Sequence, residues 1–155
     1  MSGRKTTLLL VLSMLLATAA ITAFVRRSQA LPSAPRAIIW DRESCQQCRM
    51  AISDPHFAAQ LQEADGNILD FDDPGCLIAY AAAHHLDLGS REVHAVYFHH
   101  HREDRWLTLE QAGFAPAPSP MGHGLGAVER GAPASISYGQ AAQQLAGEHL
   151  PGGGQ

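Results

Sequence analysis

Positive charge is scarce in this chain: 11 lysines and arginines stand against 15 aspartates and glutamates, for a formal net charge of −4. No stripe interleaves aromatic with basic residues, so nothing supplies the cationic field that neutralises phosphates, and nucleic acid is not an expected partner. Cysteine is nearly absent too, with three in 155 residues. Cys45 and Cys48 make one C-x-x-C pair and leave only Cys76, so the second ligand pair usual in a closed zinc site is missing. No cysteine precedes Cys45, so no thiol is offered to a lipid and the chain is not expected to be a lipoprotein. No residue-level repeat is found. What the chain has is ordinary globular composition, 46% hydrophobic and 17% charged, which suits one compact unit or two very small subdomains sharing a core.

The N-terminus reads as a targeting element. Arg4 and Lys5 precede an uncharged stretch from Thr6 to Val25, closed by Arg26 and Arg27. At about 1.5 Å per residue this stretch spans roughly 30 Å as a helix, enough to cross a bilayer core. Leu8 to Leu16 also makes a signal-peptide apolar region, with Ala17-Thr18-Ala19 and Ser28-Gln29-Ala30 as cleavage patterns. Residues 1–27 are therefore a signal sequence or a transmembrane anchor. Basic residues on both flanks leave orientation nearly balanced, and either reading implies export.

Residues 28–36 are a polar linker. Ala37-Ile-Ile-Trp40 is predicted as the first strand. Phe57 to Glu63 and Ile68 to Phe71 flank Asp65-Gly66-Asn67, a hairpin signal because those residues tolerate the positive φ of tight turns. Asp72-Asp73-Pro74-Gly75 reads as a helix start, with an Asp cap and a proline whose missing N–H costs nothing, and Cys76 to His84 is the helix. Val93 to Phe98 is a strand rich in β-branched and aromatic residues. Arg105 to Thr108 and Leu125 to Val128 are weaker strands, Tyr138 to Ala146 a closing helix, Pro116 to Pro120 a loop, and 148–155 a flexible tail. The expected fold is α+β, in units spanning 37–103 and 104–147.

Cys45-Gln-Gln-Cys48-Arg-Met50 places two thiols and a thioether within six residues. Soft sulfur donors favour Cu(I) over Mg(II) or Ca(II). The same C-x-x-C also suits a disulfide, half a zinc site or a thioredoxin-like redox pair, although the last wants a helix directly behind the thiols and none is indicated. Met121-Gly-His123-Gly offers a thioether and an imidazole in a loop that its glycines let turn tightly. Among nine histidines, His84 and His85 fall at a helix C-terminus, where the dipole favours imidazolium. His99-His100-His101 reads as a solvated loop in preference to a metal collector. Asp70, Asp72 and Asp73 read as capping and turn residues.

Taken in order, Cys45-x-x-Cys48-x-Met50, Ile52-Ser-Asp54, Phe57-Ala-Ala-Gln60, Asp65-Gly66, Phe71-Asp-Asp73 with Gly75-Cys76, and Pro120-Met-Gly122 before Gly126-Ala127 resemble the NosL family of nitrous-oxide-reductase accessory proteins, over roughly residues 40–147. The resemblance implies two small ββαβ units related to the organomercurial-lyase fold, following the N-terminal apolar helix. It implies a non-enzymatic copper chaperone of the bacterial periplasm, held to the inner membrane through residues 6–25 if these are uncleaved. Such a protein binds Cu(I) and hands it to copper-centre assembly machinery or to nitrous oxide reductase itself. Carried onto this chain, the candidate ligands are Cys45, Cys48, Met50, Met121 and His123. Arg49 stands where the family commonly has glycine. An envelope thiol-disulfide oxidoreductase using Cys45 and Cys48, and an organomercurial lyase using two cysteines and a carboxylate, remain as alternatives.

Overall fold

The structure, a computed structural model, describes residues 2–28 and 30–148. Gln29, in the second cleavage pattern, and the tail beyond Glu148 lie outside the described residues. The chain divides into two units between Pro32 and Ser33.

The first unit is helix α1, Ser2–Ser28. Its Thr6–Val25 stretch has a mean hydropathy of 2.5 and is long and apolar enough to cross a membrane. The hydroxyls within it are satisfied locally: Ser13 and Thr18 each donate to the carbonyl three residues back, at 2.9 Å, and Thr22 to Thr18 four back, also at 2.9 Å. This hides their polarity inside the helix.

The second unit is α+β. Strands β1, Ala59–Glu63, and β2, Ile68–Phe71, form the expected hairpin, with Gly66 at φ +97° in its turn. Helix α2, Pro74–Ala83, starts where Asp73 accepts the Gly75 N–H at 2.5 Å, with proline at the first helical position. Strand β3, Val93–His99, returns to pair with β1, and β4, Trp106–Thr108, pairs with β3. The sheet is antiparallel in the order β2-β1-β3-β4. Strands β5, Ala112–Pro116, and β6, Leu125–Glu129, form a second, two-stranded sheet, and α3, Tyr138–Glu148, packs on α2. Both sheets contribute to one continuous core in which Phe71, Phe98, Phe114, Leu61, Leu77 and Leu107 are fully buried. Phe98 meets Phe114 edge-on, with centroids 5.0 Å apart, across the two sheets, an arrangement that contributes roughly 0.5–1.5 kcal/mol beyond area burial. The β-β-α-β order of the first half is the expected one. The second half gives β5, β6 and α3, while β4 joins the first sheet.

Four expectations change. Ala37–Trp40 is not a strand. Both edges of β1 are already paired with β2 and β3, so the incoming segment is held by side chains instead: Arg36 N–H donates to Gln60 Oε1 at 2.8 Å, and Gln62 Nε2 donates to the Ala34 carbonyl at 3.0 Å. Pro116, expected in a loop, closes β5 opposite Leu125. This strand escapes pattern reading because Ala-Gly-Phe-Ala-Pro lacks β-branched residues, and Gly113 is there because a Cβ would stand 3.1 Å from the Glu129 carbonyl and from Ser135 Oγ. His99 and His100 are not in a solvated loop: they are 3% and 4% exposed. His99 ends β3, and the His101 N–H donates to the Ala127 carbonyl at 2.9 Å, joining the sheets.

Buried Asp70 is neither cap nor turn. It accepts from Gln60 Nε2 at 2.7 Å and pairs with the Arg36 guanidinium, which also holds Glu43 at 2.7 Å. Burial pushes the Asp70 carboxyl above its ordinary range, and Gln60 and Arg36 oppose that rise. Arg36→Met therefore leaves a buried carboxylate without its cation and should cost about 1–3 kcal/mol at neutral pH. The loss should shrink in acid as Asp70 takes up a proton, a trend that urea denaturation at the two pH values will show or refute.

Candidate metal centre

The loop bearing Cys45 and Cys48 is a tight reversal closed by an antiparallel bridge between Ser44 and Ala51. The Cys45 N–H donates to the Met50 carbonyl at 2.8 Å, and the Arg49 N–H to the Cys45 carbonyl at 3.0 Å. Reversing within so few residues puts Arg49 at φ +67°, a left-handed conformation that glycine adopts without strain. The Gln46 N–H donates to the Asp70 carbonyl at 2.9 Å, which fastens the loop to the outer edge of β2. Two residues beyond β2, Asp73 caps α2, and Cys76 lies in that helix's first turn.

These placements gather Cys45, Cys48 and Cys76, with their sulfur atoms all within 4.8 Å of one another. Cys45 is 0% and Cys76 1% exposed, while Cys48 is half-buried and is the sulfur nearest solvent. The three thiols are not equivalent. Cys45 is lowered to about 5, chiefly because Cys76 donates its S–H to it, and the backbone N–H groups of Cys48, Asp72 and Gln47 add to that effect against the opposing influence of burial. Cys76 is raised correspondingly, by giving its hydrogen bond to Cys45 and by burial. Cys48 is raised by burial, with the Met50 N–H opposing. The cluster thus holds one thiolate ready-made, and a metal ion would take the place of the proton that Cys76 now places against it.

Cys76 also belongs to a second group, with the Asp73 carboxylate and His123, whose donor atoms again lie within 4.8 Å of one another. Cys76 Sγ stands 3.8 Å from His123 Nε2. That approach depends on Gly75, because a Cβ there would overlap the His123 ring. Gly122 and Gly124, at φ +73° and +70°, let the chain turn sharply on both sides of the histidine. Asp72 Oδ1 and Asp73 Oδ2 are buried without a hydrogen-bond partner among the described residues. Groups of that kind are expected to find a water or an ion.

Of the five candidate ligands, Cys45 and Cys48 come together, and His123 stands against Cys76 and Asp73. Met121 is half-buried against the core. Met50 is 57% exposed, and its contribution to the loop is main-chain: its carbonyl accepts from Cys45 and its N–H points at the Cys48 sulfur. Sequence reasoning left Cys76 and Asp73 out of the ligand set. The available signal was position, since a cysteine three residues past an Asp cap sits at a helix N-terminus, where thiolates are favoured. His84 ends α2 as expected, with its ring against Tyr80 at a centroid distance of 4.1 Å. Three thiols with an adjacent imidazole form a donor set suited to a soft or borderline metal ion.

Thiolate absorbance of the reduced, metal-free protein should rise by one thiolate as the pH passes through about 5, with no second step before the ordinary thiol value of 9.0. The first step should disappear in Cys45→Ser. Three thiols titrating together near 9.0 would refute the unequal sharing of protons.

No family model matches the chain, and no curated protein does. Among solved structures, the chain is similar to the crystal structure of the copper chaperone NosL from Shewanella denitrificans, with a TM-score of 0.48 and 16% sequence identity, over 76% of this chain and 89% of that one.

Proposed function

We propose that this chain is an extracytoplasmic Cu(I) metallochaperone that delivers copper for maturation of the copper centres of nitrous oxide reductase. The observation that carries the metal-binding part is the convergence of the Cys45, Cys48 and Cys76 sulfurs, with the hydrogen bond from Cys76 holding Cys45 below the ordinary thiol range. Thiolate sulfur prefers Cu(I) among the common biological ions, and Cu(I) needs no more than two to four soft donors. The named recipient rests on the ordered residue set that resembles the NosL family, and the extracytoplasmic side rests on the membrane-length Thr6–Val25 helix. On this reading the helix, if uncleaved, anchors the protein in the inner membrane.

Transfer is ligand exchange, with no bond of a substrate made or broken. Cys48, the accessible sulfur, is the one a partner's thiolate or thioether reaches first, and copper moves when the partner gains affinity. Joining Cys45 to Cys48 in a disulfide removes two donors, so the cluster carries copper only when reduced or already loaded. The burial pattern speaks for binding over thiol–disulfide exchange: an exchange enzyme presents its low-pKa sulfur to the substrate, whereas here that sulfur is buried Cys45 and the accessible Cys48 is raised.

A second reading draws on the same atoms. Cys76 is shared by two groups, one with the thiols of Cys45 and Cys48 and one with the Asp73 carboxylate and His123, donors that could grip the mercury of an organomercurial while a proton replaces it on carbon. Release of benzene from phenylmercury by the reduced protein would identify that activity.

An anaerobic titration of the reduced protein with Cu(I), in competition with a chromophoric chelator, tests the first reading. One equivalent should be held by the parent and weakened at least about a hundredfold, roughly 2.7 kcal/mol, in Cys45→Ser/Cys48→Ser. Equal binding by both proteins would defeat the proposal.

A further inference from the structure

Away from the thiols, a second set of donors shares a pocket. His56, His99 and Asp104 line an open cavity of about 420 Å³ with Pro55 and both of the chain's tryptophans, Trp40 and Trp106. His99 is its fixed member. The His99 side chain is 4% exposed, and Nδ1 lies 3.1 Å from the His100 carbonyl oxygen. That oxygen can only accept, so Nδ1 carries a proton; Asp104 Oδ1, 3.2 Å from Nε2, is equally an acceptor, so Nε2 meets it either as a donor in the imidazolium or, with a cation between them, through its lone pair. Trp106 packs edge-on against the imidazole at 5.1 Å and holds its plane. The His56 ring stands 5.8 Å from that of His99, nearly perpendicular, with Nδ1 3.3 Å from Asp54 Oδ1.

His56 Nδ1 is engaged by the Asp54 carboxylate and His99 Nδ1 by the His100 carbonyl, the outer support that metal-ligating histidines usually have, while His99 Nε2 meets the Asp104 carboxylate. The 3.2 Å between His99 Nε2 and Asp104 Oδ1 also suits two neighbouring ligands of one ion, since donors about 2.0–2.2 Å from a metal stand roughly 3–3.5 Å apart. His100 is different. Its Nδ1 accepts the N–H groups of Arg102 and Glu103 at 3.1 and 3.0 Å, which leaves the proton on Nε2 to donate to Glu129 at 3.2 Å, so neither nitrogen has a lone pair to spare and the ring holds the β3–β4 turn to β6.

We propose that His56, His99 and Asp104 form a second metal site, which takes a divalent borderline ion of the Ni(II), Cu(II) and Zn(II) group. Two imidazole nitrogens and a carboxylate suit such ions, whereas Cu(I) is better served by sulfur. His99 is the preset ligand; half-exposed His56 and fully exposed Asp104 rotate to complete the shell around it. The site shares no residue with the thiol cluster and stands whether or not that cluster carries copper.

Tryptophan fluorescence reads this site directly, because both tryptophans line the pocket and a paramagnetic ion held there quenches them. The detergent-solubilised full chain, titrated with Ni²⁺, should show saturable quenching that a chelator reverses. Cys45→Ser/Cys48→Ser should behave like the parent. His56→Ala and Asp104→Asn, both changes at exposed side chains, should each weaken binding at least about tenfold. No saturable quenching, parent-like affinity in both of these variants, or loss of the quench in the cysteine variant would overturn the proposal.

Discussion

One backbone hydrogen bond, from the Gln46 N–H to the Asp70 carbonyl, joins the two parts of the thiol cluster. Cys45 and Cys48 ride on a loop outside the sheet, while Cys76 is delivered by the chain that leaves β2 for α2. Fastening the loop to the edge of β2 registers one against the other. The rest of the fold supports that edge. Gln60, in β1, and Arg36, in the incoming segment, hold the Asp70 side chain. Asp73 starts the helix so that its first turn presents Cys76 to Cys45.

The electrostatics of the cluster follow from this placement. Three backbone N–H groups converge on a buried sulfur and favour its negative charge, while the same burial disfavours a second charge beside it. The stable metal-free state therefore has one thiolate and a neighbouring thiol donating to it. Binding a cation with these sulfurs relieves a repulsion that would otherwise keep Cys76 protonated. Because Cys48 is the sulfur nearest solvent, the cluster is enclosed on the protein side and open on one.

Much of this was legible in the chain. The Asp-Gly hairpin, the Asp-Pro helix start and the β-branched run of β3 each carry local signals strong enough to survive tertiary context. The strand expected at Ala37–Trp40 was lost because its place beside β1 was already filled, which only sheet order reveals. Strand β5 stayed hidden because its residues were selected for close approach, at Gly113, and not for β propensity. In the site, C-x-x-C was visible as a motif. Cys76 and Asp73 were read as leftover thiol and helix cap, since no spacing rule links them to residues some thirty positions earlier. The histidines misled in the opposite way: a triplet of polar residues reads as solvated, but His99 and His100 are buried by contacts with Trp106 and Glu129 that lie far along the chain or across a turn.

The central claim is that Cys76 completes a metal centre with the C-x-x-C pair. X-ray absorption at the copper edge, on the anaerobic Cu(I)-loaded chain and on Cys76→Ser, examines it most directly. The account predicts a sulfur-dominated shell that loses one sulfur neighbour in the variant. A shell unchanged by Cys76→Ser, or one made of nitrogen and oxygen alone, would contradict it.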